Sequence, residues 1–175
     1  MSGSRRLSLS LVAALGLGVA AAAQAPVEAP ATVTAAGLRA LVDAHEGKVV
    51  VVNFWATWCP PCKAEFPDII RVHDDLHAAG LEVIAVSMNA DDELDDVDAF
   101  LREFEPPFPV YRAVTQDETF YEGVVEMIGT GDWFGELPIT LVFDAAGNPV
   151  RYHRKPVTYD EVVADVTALL PASAR

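Results

Sequence analysis

The apolar, β-branched run at residues 49–55 ends four residues before Cys59-Pro60-Pro61-Cys62. A strand that is apolar on both faces has no side to give to water, so it reads as an interior, parallel strand with elements packed on both sides. Proline is tolerated in the first turn of a helix, where its missing N–H would be unpaired anyway. The sequence therefore predicts a helix over residues 60–79, stopped by Gly80. Cys59 falls at its entrance, where free N–H groups and the positive dipole end favour a thiolate over a thiol. Cys62 lies one turn on, facing inward. The spacing points to a dithiol centre, with Cys59 the low-pKa nucleophile and Cys62 the resolving thiol. Pro60 and Pro61 leave no N–H between them.

The 175 residues suit one domain, and 51% hydrophobic content can fill its core. Twelve Lys and Arg against 26 Asp and Glu give a formal charge of −14, which argues against nucleic acid and anionic membrane surfaces as partners. Only two cysteines are present, both in the motif, so no structural disulfide framework competes for them. Residues 1–23 read as a signal peptide: Arg5 and Arg6 precede an apolar stretch over 7–20 and small residues suited to cleavage. An uncleaved anchor is the competing reading, although the stretch is short against the ~20 residues of a span. Export would place the thiols in an oxidising compartment. Residues 24–33 are expected to be a flexible leader and 34–172 the folded domain.

Within that domain Thr34 is expected to cap a helix ending near His45. A strand is expected over 81–88, followed by a helix capped at Asn89 or Asp91 with an acidic first turn. A short strand over 108–114 and a helix over 119–128 follow. Residues 139–143 and 149–153 read as a hairpin, and Thr158 caps a last helix. Pro67 predicts a kink in the motif helix. The acidic residues after Asp91 read as a solvated face, with a basic partner as the sharper alternative. The loop over 129–135 is rich in glycine but lacks the lysine and the strand-to-helix setting of a phosphate loop.

The run over 54–67, Phe-Trp-Ala-Thr-Trp-Cys-Pro-Pro-Cys-Lys-Ala-Glu-Phe-Pro, resembles the TlpA/ResA/CcmG-type thioredoxin-like proteins, as does Leu137-Pro138-Ile139-Thr140. The resemblance covers roughly residues 34–170. It implies a thioredoxin-like α/β fold, a central mixed sheet flanked by helices, and an exported, periplasmic thiol–disulfide oxidoreductase. It implies that Pro138 is cis and faces the disulfide, and that Leu137 pairs with an extended substrate. Glu65 would tune the thiols and shuttle the Cys62 proton, because Asn53 stands where cytoplasmic relatives carry a buried aspartate. Trp58, Pro60, Pro61, Leu137 and Pro138 are the expected docking surface. Partners would be disulfide-bearing extracytoplasmic proteins, as in cytochrome c maturation or metal-site assembly. A membrane thiol-reductase would supply electrons to a monomer that needs no cofactor beyond its own disulfide.

Blander readings stand beside these. Glu65 could be an ordinary surface glutamate, and Trp55 reads as core packing. Cys59 and Cys62 with His73 and His77 approach a zinc-finger spacing, but one helix would put His73 about 16 Å beyond Cys62 at ~1.5 Å per residue, while zinc takes ligands at about 2 Å. The two histidines read instead as a solvated pair. A thiol oxidant of DsbA type and a non-catalytic metal-binding or chaperone module are the alternative functions.

Overall fold

The computed structural model describes residues 29–114, 116–129 and 131–171. The expected signal segment, 1–23, and the first part of the leader, 24–28, lie outside the described residues.

Four-residue turns and caps set the element boundaries close to where the sequence puts them. Thr34 accepts a hydrogen bond from Gly37 N at 3.0 Å and so caps α1 (Ala35–Ala44). The apolar run is β2 (Val49–Trp55), buried at every residue. The motif helix is α2 (Pro60–Leu76), extended by a 3-10 turn at His77–Ala79 and ended by Gly80 in the left-handed region, φ 111°. Pro67 lies on the exposed side of this one helix. Then come β3 (Leu81–Ser87), α3 (Leu94–Phe104) and β4 (Val110–Ala113). The chain continues through α4 (Glu118–Ile128), the hairpin of β5 (Ile139–Phe143) and β6 (Pro149–His153), and α5 (Tyr159–Leu169).

Two expectations need correction. The end of the presumed leader is strand β1 (Ala31–Val33), paired in parallel with β4 through Ala31↔Tyr111 and Val33↔Ala113. It covers an edge of the sheet that would otherwise present open N–H and C=O groups. The folded domain thus includes residues 31–33, and a pairing made across 80 positions leaves no local pattern to read. Asn89 does not cap the third helix. A 3-10 turn, Asp91–Glu93, intervenes, Glu93 Oε2 accepts from Ala90 N at 2.8 Å, and Asn89 is turned fully inward.

The sheet order is β1-β4-β3-β2-β5-β6. The first four strands in that order are mutually parallel, β5 is antiparallel to β2, and β6 is antiparallel to β5. Alternation along β2 sends successive side chains to opposite faces. Trp55 stacks on Phe100 of α3 at 4.3 Å and packs on Phe66 of α2 at 5.2 Å. Its neighbour Phe54 packs on Trp133 at 4.9 Å and Phe120 of α4 at 6.4 Å. One face thus holds up α2, which carries the cysteines, and the other holds α4 and the loop after it. Helix α5 is pinned along α2: Tyr159 N donates to Asp68 at 3.1 Å, the Tyr159 hydroxyl donates to Asp75 at 2.7 Å, and the Arg71 guanidinium lies 3.8 Å over the Tyr159 ring.

Candidate active site

β2 delivers the chain to the end of the sheet, and residues 56–58 turn it into α2. Cys59 is the N-cap residue of that helix, and its sulfur accepts from Cys62 N at 3.3 Å. Pro60 and Pro61 have no N–H to give. The Cys62 amide is therefore the first the helix can offer the sulfur, and the proline pair reserves that position for it. Lys63 N donates to the Cys59 carbonyl at 3.2 Å. Cys59 and Cys62 are joined as a disulfide, with Cα atoms 5.3 Å apart. Cys59 retains 5% of its surface and Cys62 none, so only the first sulfur is accessible to a partner. Trp58 beside it is 53% exposed.

The turn before Cys59 is held by a residue that the sequence presents only as a helix cap. Asn89 Oδ1 accepts from Thr57 N at 3.0 Å and from the Ser87 hydroxyl at 2.9 Å. Its Nδ2 donates to Thr57 Oγ1 at 2.6 Å and to Glu93 Oε2 at 3.1 Å. One buried amide thus ties the end of β3 to the loop that presents the nucleophile. Asn89→Ala would orphan the Thr57 N–H and the Ser87 O–H, at about 1–3 kcal/mol per buried group. The expected outcome is a lower urea midpoint with an unchanged slope; an unchanged midpoint would show that the clamp contributes nothing.

Glu65 lies one turn beyond Cys62 on the inward side of α2 and is 3% exposed. Its Oε1 accepts from Asn53 Nδ2 and its Oε2 from Val157 N, both at 2.8 Å. Asn53 Nδ2 also donates to Thr140 Oγ1 at 3.0 Å, while its Oδ1 is buried without a partner. Burial outweighs the two hydrogen bonds, which favour the charged form, and with a small push from Asp68 it raises the Glu65 pKa from 4.5 to about 7. The carboxyl can therefore hold or release a proton near neutral pH, which an exposed surface glutamate could not do.

The Leu137–Pro138 peptide is cis. The register Phe54↔Ile139 and Asn53↔Thr140 brings Pro138 to the same end of the sheet as the start of α2. Pro138 is buried and Leu137 half-buried. The loop before them is fastened by Trp133, whose Nε1 donates to Glu136 O at 2.8 Å. Cys59, Cys62, Trp58, Glu65 and the Leu137–Pro138 loop are thus gathered around one end of β2. His73 and His77 stay apart from them. They stack on each other at 4.6 Å, but His73 is buried against Phe108 at 5.5 Å, so they are not the solvated pair expected. Sequence reasoning missed Val157 and Thr140 as partners of the Glu65 network, and the clamp at Asn89. The Val157 amide comes from 92 residues away, and its only trace in the sequence is the Thr158 cap that follows it.

The model of the AhpC/TSA family matches residues 23–152. The chain belongs to that family. It is 33% identical over 150 residues to the thiol:disulfide interchange protein HelX of Rhodobacter capsulatus, covering 85% of this chain and 73% of that one. A shorter stretch of 65 residues is 45% identical to the thiol-disulfide oxidoreductase ResA of Oceanobacillus iheyensis, covering 37% of this chain and 33% of that one. Among solved structures, a thiol:disulfide interchange protein of the thioredoxin family from Chlorobium tepidum superposes with a TM-score of 0.62 at 27% identity, over 73% of this chain and 83% of that one. The fold is thioredoxin-like, and with its Cys59–Cys62 pair the protein is a thiol–disulfide oxidoreductase of the ResA/HelX type. No helix among the described residues is long and apolar enough to cross a membrane.

Proposed function

We propose that this protein is exported and reduces disulfides of extracytoplasmic partner proteins, of the kind met in cytochrome c maturation or metal-site assembly. The observation that carries this reading is the joint placement of an accessible Cys59 sulfur under the Cys62 amide and a buried Glu65 that titrates near neutrality. In the reduced protein the Cys59 thiolate attacks one sulfur of the partner disulfide. A mixed disulfide forms, and the partner's other sulfur leaves as a thiolate and takes up a proton. Glu65 accepts the Cys62 proton, and the Cys62 thiolate attacks the Cys59 sulfur. The partner departs with both electrons and the protein is left as the Cys59–Cys62 disulfide. A membrane thiol-reductase returns two electrons and two protons. Trp58, Pro60, Pro61, Leu137 and Pro138 form the surface against which the partner segment lies, and the protein works as a monomer without a further cofactor.

The direction of electron flow is tested by equilibrating the full chain in glutathione buffers and following the dithiol fraction. A reductant of this kind stands toward about −270 mV, and a strong oxidant near about −120 mV. A potential at the oxidising end would reverse the assignment in favour of a thiol oxidant. Failure to reduce insulin, joined with stoichiometric bound metal, would favour a non-catalytic module.

A further inference from the structure

A groove of about 640 Å³ lies between α4 and residues 131–134. Its apolar surface comes from Tyr121, Val125 and Trp133. Trp133 is buried and held from below by Phe54 at 4.9 Å and from the side by Tyr121 at 5.1 Å. Phe134 stands at the mouth with 75% of its surface in water. An exposed phenylalanine beside a rigid aromatic floor is an apolar surface left uncovered. Three residues on, the same loop becomes the Leu137–Pro138 turn of the redox site, so whatever occupies the groove sits next to a polypeptide engaged there.

The rim fixes the chemistry of the occupant. Glu118, Glu122 and Glu126 line the groove from α4 and, spaced by four, fall on one helical stripe. Like charges at that spacing oppose the helix by a few tenths of a kcal/mol per pair. Among the described residues no cation pairs with any of the three. Arg39, which lines a neighbouring pocket together with Glu126, is paired with Asp43 at 2.5 Å. Asp132, the fourth carboxylate at the groove, is already neutralised by Arg154 at 2.9 Å. A second copy of this chain would bring a further formal charge of −14 against the same rim, which disfavours self-association there.

We propose that this groove docks a basic segment of the partner protein, with an aromatic or large aliphatic side chain against Phe134, Tyr121 and Val125 and flanking Lys or Arg on the three glutamates. The proposal rests on the reading of the protein as an oxidoreductase acting on protein disulfides. It supplies that site with a selectivity: partners with a basic, apolar stretch near the disulfide.

Two synthetic peptides test it, each with one intramolecular disulfide and one phenylalanine, the first flanked by lysines and the second by glutamates. With the reduced full chain at low ionic strength, the lysine peptide is expected to have a kcat/KM at least about tenfold higher, with the difference shrinking in high salt. The triple variant Glu118→Gln, Glu122→Gln, Glu126→Gln should lose the preference, and Phe134→Ala should raise KM for both peptides. Glu118, Glu122, Glu126 and Phe134 are all exposed, so the variants keep the fold. Hydroxyethyl disulfide, which is small and uncharged, should react equally with all proteins. Loss of that reaction in the wild type would overturn the oxidoreductase reading alone. Calorimetric binding of a lysine peptide with both cysteines changed to serine reads the groove without any redox step. Equal kcat/KM for the two peptides, a preference that survives in the triple variant, or serine-peptide binding unaffected by Phe134→Ala would overturn the proposal.

Discussion

Cys62→Ser converts the protein into a trap: partner proteins remain linked to Cys59 as mixed disulfides. The Cys59 sulfur keeps its position at the start of α2, since the amide that faces it belongs to the backbone of residue 62 and survives the substitution. A serine hydroxyl is far too weakly acidic to attack a disulfide sulfur, so the covalent intermediate cannot resolve. Expressed in a host that carries its natural partners, the variant should give adducts on non-reducing gels that collapse with reductant. Mass spectrometry would then name the partners: haem-protein precursors, copper-site proteins, or a broad set of secreted chains. Cys59→Ser should trap nothing and reduce disulfide exchange to background, because Cys62 has no exposed surface. Equal trapping by both variants would overturn the assignment of the nucleophile, and trapping by neither would favour a non-catalytic protein.

Glu65→Gln should have opposite effects on stability and on catalysis. In the folded protein Glu65 holds its proton up to about pH 7, whereas its ordinary value is 4.5. Between those values the native state binds more protons than the unfolded state, so this group's contribution to stability falls as pH rises. At 1.36 kcal/mol per pKa unit, ionising it in place costs about 3 kcal/mol above pH 7. A glutamine keeps an oxygen for Val157 N. Its amide can donate to Asn53 Oδ1, an atom that is buried without a partner in the wild type, once the Asn53 side chain turns over. The variant should therefore be more stable than the wild type at pH 8 and nearly equal to it at pH 4. The same change removes the acceptor for the Cys62 proton, and resolution of the mixed disulfide should slow about a hundredfold at neutral pH. Melting curves and stopped-flow exchange across pH 4–9 would check both. Parallel stability curves with unchanged exchange rates would return Glu65 to a structural role.

Local chemistry made much of this protein legible from its residues. The apolar run of β2 could only be interior, two prolines could only open a helix, and Thr34 and Thr158 could only be caps of the helices that follow them. Those constraints act over four or five residues, so the sequence by itself determined where the five helices and the strands from β2 onward lie and that Cys59 precedes Cys62 at a helix start. The resemblance in the motif then brought Glu65 and Pro138 into view. What the tertiary structure decided are the contacts made across long separations. Ala31–Val33 becomes a strand only because β4 has an open edge. Asn89 is a clamp rather than a cap because β3 ends beside Thr57. The Glu65 carboxyl titrates near neutrality because α2 is packed against β2 and the chain before α5, a balance of desolvation against the hydrogen bonds from Asn53 and Val157. The three glutamates of α4 become a charged rim only when residues 131–134 fold against that helix. A side chain's covalent neighbours fix its backbone preferences, but its solvation and its partners are set by whatever the rest of the chain brings alongside it.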